Sequence, residues 1–143
     1  ISRRARMGFN FVKLGLHPGM AATHFLSRCV GPHTAAMLLY TGRLVTADEA
    51  CRLGLVGSVA ENAGETFAMT LERAREIAEA SPTAIRSLVH TLRVRENEGL
   101  PQALANEANG QSVCYNTPEM LEGLRCARQP KETPSFSWKK KQT

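Results

Sequence analysis

Four histidines and four cysteines carry most of the acid–base, nucleophilic or metal chemistry open to this 143-residue chain. Histidine titrates near neutrality, so its placement is the first thing to weigh. His17 and His24 flank a Pro18-Gly19 turn. The turn separates them and no third ligand is spaced to complete a site, so no metal is expected. His17, just before the turn, has two readings: a general base, or a turn histidine hydrogen-bonded to backbone. His24 and Cys29 lie five residues apart on one helical stretch, which puts them on different faces and discounts a Cys-His dyad. His24 reads as a packing or interface residue, and His33 and His90 join no constellation. Cys29, Cys51, Cys114 and Cys126 lack Cys-x-x-Cys spacing, so neither a zinc site nor a redox pair is signalled. Scattered thiols suit a reducing compartment, with each expected as a small buried hydrophobe. No Gly-x-Ser-x-Gly elbow, dinucleotide-binding turn or phosphate loop is present.

The surrounding composition is that of an ordinary globular domain, with 43% apolar and 22% charged residues. The net charge of +5 is carried at the ends, by Arg3, Arg4 and Arg6 and by Lys139, Lys140 and Lys141. Without those six the body holds 12 basic against 13 acidic residues. A nucleic-acid partner is therefore not expected, because it calls for a basic face within the folded body. The longest clean apolar run, residues 35–40, is far short of the ~18–20 residues of a spanning helix, so no membrane partner is expected either. The chain opens on Ile1 with no initiator Met, as in a processed product or a piece of something longer.

These residues are positioned by a helix-rich pattern. Residues 8–14 read as a strand with Phe9, Phe11 and Lys13 on one side, and residues 55–60 as a second short strand. Between them, Ala22, Phe25, Leu26, Cys29 and Val30 form a helical stripe stopped by Gly31, and Pro32 opens the next helix, which ends at Gly42. Thr46 and Glu49 match a capping box for a short helix closed by Gly54. Phe67, Leu71, Ala74 and Ala78 mark another helix. Ser81-Pro82 caps one that carries Ile85, Leu88, Val89 and Leu92. A further helix runs from Pro101 past Ala108, and Thr117-Pro118 caps the last. About seven helices and two strands result. Two strands some 40 residues apart cannot make a stable sheet alone. The chain is thus a helical bundle with a stray hairpin, or part of a sheet with further members.

Several separated pieces of residues 14–56 match one pattern in order and spacing: Leu14-Gly-Leu16, Pro18-Gly19, Tyr40-Thr-Gly-Arg43, Ala47-Asp-Glu-Ala50 and Gly54-Leu-Val56. They resemble the enoyl-CoA hydratase/isomerase (crotonase) superfamily, in its C-terminal half. Glu122-Gly-Leu124 followed by Pro134-Ser-Phe136 is similar to the family's ending. The resemblance implies an α-rich α/β fold, the C-terminal part of a ββα spiral plus its oligomerisation helices. Residues 1–60 are then the last turn of the spiral core, 61–130 the helical oligomerisation region and 131–143 a basic irregular tail. Phe9, Val12 and Leu14 are expected as exposed apolar residues.

The resemblance also implies a chemistry. Family members polarise a thioester carbonyl with two backbone N–H donors, which map ahead of Ile1. One hydratase Glu maps there as well, and the second falls on Phe11. The acid that isomerases place at the turn falls on Gly19. Neither residue can transfer a proton, so the catalytic positions are empty of acid, and His17, close to where the reacting carbon lies, is the remaining candidate. Phe11, Leu16, His17 and Pro18 are the implied substrate-binding residues. Lys131 and Phe136, with Arg128 as a spare, suit the phosphate and adenine of coenzyme A. Coenzyme A is expected only as part of the substrate, with no permanently bound cofactor. The expected partners are an acyl-CoA thioester and further copies of the chain, as a trimer or hexamer, in an intracellular compartment, mitochondrial or cytoplasmic. Three functions compete: half of an acyl-CoA enzyme, inactive alone; a crotonase-like pseudoenzyme that binds acyl-CoA or serves assembly; and an interaction module unrelated to coenzyme A.

Overall fold

The computed structural model describes residues 1–129 and 132–136. Its elements run β1 (Arg6–Gly8), a 3₁₀ helix (Asn10–Leu14), α1 (Ala22–Val30), α2 (Pro32–Thr41), β2 (Leu44–Thr46), α3 (Ala47–Arg52), α4 (Ala63–Ala78), α5 (Pro82–Glu96), α6 (Leu100–Cys114) and α7 (Pro118–Ala127). β1 and β2 pair as a two-stranded sheet. The chain forms two compact units, each assembled from two separated stretches. One is Ile1–Met7 with Val45–Leu100, the other Gly8–Leu44 with the chain from Pro101 onward.

In the first unit the amino terminus runs beside residues 58–61. The Ile1 ammonium donates to the Ser58 carbonyl at 3.1 Å, and Ser2 bridges Ala60 in parallel. Arg3 ion-pairs with Asp48 and Glu61, each at 2.7 Å. α3 starts where Thr46 Oγ1 accepts from Glu49 N, and it buries Ala47 and Ala50 beside Val45. Asn62 caps α4, and Ser81 with Pro82 opens α5. No residue of either long helix is buried.

The second unit packs α1 on α2 through Leu26, Ala35, Leu38 and Leu39, all buried. α7 lies on the 3₁₀ helix so closely that a Cβ at Gly123 would fall 2.6 Å from Leu14 Cα. A Cβ at Gly15 would sit 2.5 Å from the Glu119 backbone, so the close approach admits glycine at both places.

The helices follow the sequence pattern, but the strands do not. Residues 8–14 were expected as a strand, whereas β1 ends at Gly8 and Asn10–Leu14 winds into a 3₁₀ helix. Gly15, left-handed at φ 68°, closes that helix with its N–H on the Val12 carbonyl at 3.2 Å. Alternation over so few residues fits a 3₁₀ turn as well as a strand, and the packing of α7 decides for the turn. The expected strand at 55–60 is reduced to the single bridge at Ala60, and Leu44–Thr46 is the strand instead. Phe9, Val12 and Leu14 are half-buried rather than exposed. α4 and α5 do carry exposed apolar side chains, among them Phe67 at 71%, Val94 at 62% and Ile77 at 58%.

Candidate functional site

The second unit carries an open cavity of about 880 Å³. The 3₁₀ helix and the turn after it contribute Val12, Leu16, His17 and Pro18. α1 and α2 add Thr23, Ser27, Ala36, Leu39 and Tyr40. Val113, Cys114, Thr117, Glu119 and Phe136 line it from the C-terminal side. The walls are mostly aliphatic, with hydroxyls, one imidazole and one carboxylate to orient a ligand. That is the usual makeup of a small-molecule site.

Of the substrate-binding residues expected from the sequence, Leu16, His17 and Pro18 meet here, and Phe136 joins them. Phe11 and Gly19 do not line the cavity. Phe11 is half-buried in the 3₁₀ helix, its carbonyl accepting from Leu16 N at 3.0 Å. Gly19 is buried, and a Cβ there would strike the Gln111 amide. Lys131 lies outside the described residues. Arg128 is exposed at the end of α7, away from the cavity lining. Among the described residues no group of three His, Cys, Asp or Glu side chains is placed to hold a metal ion.

Phe136 is held by a charged cluster. Arg125 donates to both oxygens of Glu122, at 2.9 and 3.2 Å, and to Glu132 at 2.5 Å, while the Ser135 N–H donates to Glu122 at 3.3 Å. The Arg125 guanidinium, and then the Ser135 N–H, pull the Glu122 carboxyl down to about 2. Burial raises the neighbouring Cys126 thiol.

The residue that sequence reasoning missed is Glu107, 2% exposed on α6. It accepts from Ala21 N at 2.7 Å, Thr23 N at 2.8 Å and Thr23 Oγ1 at 2.6 Å. This satisfies the first turn of α1, whose N-cap residue is alanine and offers no acceptor of its own. Only the missing cap at Ala21 hinted that an anion must arrive from elsewhere.

Residues 1–141 match the family model for enoyl-CoA hydratase/isomerase. The chain belongs to that family. It is 30% identical over 135 residues to the short-chain-enoyl-CoA hydratase of Clostridium acetobutylicum, covering 94% of this chain and 51% of that protein. With the probable mitochondrial enoyl-CoA hydratase 2 of Arabidopsis thaliana it shares 35% identity over 115 residues, 78% of this chain and 36% of that one. In structure it resembles an enoyl-CoA hydratase from Mycobacterium avium subsp. paratuberculosis, with a TM-score of 0.83 at 26% identity over 95% of this chain and 54% of that chain. The chain spans about half the length of the curated relatives it matches. Family membership and this fold displace the free-standing bundle. No helix among the described residues is long and apolar enough to cross a membrane.

Proposed function

We propose that residues 1–143 are the C-terminal half of an enoyl-CoA hydratase/isomerase-like enzyme acting on acyl-CoA thioesters, and that this chain alone is inactive. The observation that carries the reading is the family match over residues 1–141 together with a cavity lined by Gly15, Leu16 and Pro18 from the family's two adjoining pieces. Leu16, His17 and Pro18 form the wall toward the acyl thioester. Phe136 and Lys131 serve the adenine–phosphate end of coenzyme A, which arrives with the substrate and is not retained. The exposed apolar side chains of α4 and α5 support assembly with further copies. Relatives from Arabidopsis thaliana and Mus musculus described as mitochondrial favour that compartment, with the cytoplasm as the other choice.

Inactivity follows from magnitudes. One lost oxyanion donor removes about 10²–10³ in rate, and a lost general acid or base about 10²–10⁴. By the resemblance both oxyanion donors and the acid positions lack a counterpart within these residues. At Gly19 the end of the Gln111 side chain occupies the space that an acid would take, and it would have to swing aside. The same observation favours a second reading, in which the complete protein is an acyl-CoA-binding pseudoenzyme.

The test is hydration of crotonyl-CoA, followed by loss of enoyl thioester absorbance. Neither the wild-type chain nor Phe11→Glu should exceed a buffer blank, since a restored carboxylate still faces a carbonyl without its oxyanion donors. Turnover by either protein overturns the claim of inactivity. In the full-length parent, activity gained with Phe11→Glu supports the enzyme scaffold with a lost acid. Activity in the unsubstituted parent decides for the enzyme and against the pseudoenzyme.

A further inference from the structure

Glu107, Gly110 and Gln111 occupy positions i, i+3 and i+4 of α6 and therefore share one face. All three act on residues 17–23. Glu107 binds Ala21 and Thr23 through three hydrogen bonds, and Met20 and Ala21 are both left-handed, at φ 62° and 58°. Non-glycine residues persist in that region only where their surroundings hold them. Gln111 Nε2 donates to the His17 carbonyl at 3.3 Å, and its amide fills the space beside Gly19. Gly110 lets the helix backbone approach the His17 ring, since a Cβ there would lie 2.6 Å from Cγ and Cδ2.

The consequence falls on the imidazole. His17 Nδ1 is 2.7 Å from the Pro18 carbonyl. A carbonyl only accepts, so Nδ1 carries the proton and the lone pair of the neutral ring is on Nε2. Among the described residues Nε2 has no hydrogen-bond partner, and His17 is a wall of the cavity.

We propose that this face of α6 is a positioning device for His17: it clamps the 17–23 turn so that the ring is held as the Nδ1–H tautomer, with Nε2 as the cavity's acceptor for an N–H or O–H of the ligand. The tautomer stands on the geometry alone, and its use by a ligand rests on the acyl-CoA reading of the cavity. The hydrogen bond to backbone, one of the two readings of His17 that the sequence left open, is then compatible with a lone pair presented to the cavity.

Long-range ¹⁵N–¹H correlation of the imidazoles in the labelled 143-residue chain tests this, with His17→Asn to assign the signals. The expected spectrum has a protonated Nδ1 and an unprotonated Nε2 at His17. Gly110→Ala should push the ring off the Pro18 carbonyl and bring both nitrogens toward the average of exchanging tautomers. Far-UV circular dichroism checks its fold, and alanine is the better helix former at that site. Should Gly110→Ala fail to fold, Gln111→Ala, which removes the bond to the His17 carbonyl and the amide beside Gly19, should move the same signals in the same direction. A protonated Nε2 in the wild type overturns the proposal, as do unchanged nitrogen shifts in the folded variants. Crotonyl-CoA then separates the clamp from the ligand. A shift at Nε2 supports both. An intact tautomer that ignores crotonyl-CoA supports the clamp and overturns the acyl-CoA reading of the cavity.

Discussion

Glu122 ties the stretch bearing Phe136 to α7, and its carboxyl lies at about 2 against an ordinary 4.5. A folded value below the unfolded one means that the native state binds this proton more weakly. The stabilisation is therefore complete above the ordinary carboxylate value and is lost as the pH falls toward 2. Thermal melts of the wild type and Glu122→Gln should differ most near neutrality, with the wild type higher, and converge through this acid window. Added salt should narrow the gap, because Arg125 and Glu132 are about half exposed. At this scale the sequence showed types better than partners. His17 stood out beside a Pro-Gly turn, and Phe11 and Gly19 stood out as residues unable to move a proton. Glu107 did not, because Ala105-Asn106-Glu107-Ala108-Asn109 reads as a polar surface. Its burial is decided by the N–H groups of Ala21 and Thr23, which no local pattern reveals.

Helix ends were the most legible elements. Thr46, Ser81 and Thr117 each accept from the backbone N–H three residues on, as the capping pattern requires. Thr117 does more than cap α7: its Oγ1 accepts from Met120 N at 3.2 Å and donates to the Cys114 carbonyl at 2.7 Å. It thus joins the end of α6 to the start of α7 beside the cavity. Thr117→Ala should lower stability by about 1–2 kcal/mol in urea denaturation, the upper part of the range for a lost cap. Thr117→Ser keeps both bonds and should recover most of the loss. The strands were illegible for a different reason. Each has three residues, too few for a period of two to register, and the 3₁₀ helix is set by the closeness of α7 at Gly15 and Gly123.

At the level of the whole molecule, the apolar stripes read on α4 and α5 are real, but they are not covered by this chain. Phe67, Leu71, Leu88 and Leu92 are 40–71% exposed. Surface of this kind favours association, and the chain should sediment as concentration-dependent oligomers. Phe67→Glu combined with Leu92→Glu should shift it toward the 15.6 kDa species while leaving the helical circular dichroism in place. The division into two interleaved units was beyond reach of a linear reading, and it carries a consequence for biosynthesis. The first unit has all its residues once Leu100 is made, whereas the second waits for α6 and α7. Ala21 and Thr23 precede their buried carboxylate by 86 and 84 residues. At about 5–20 residues per second of translation, the start of α1 spends about 4–17 s without its anion. For that interval nothing holds Met20 and Ala21 left-handed, a backbone state that alanine and methionine leave readily. The ribosome therefore delivers the cavity last: the His17 wall acquires its shape only after the final helices emerge.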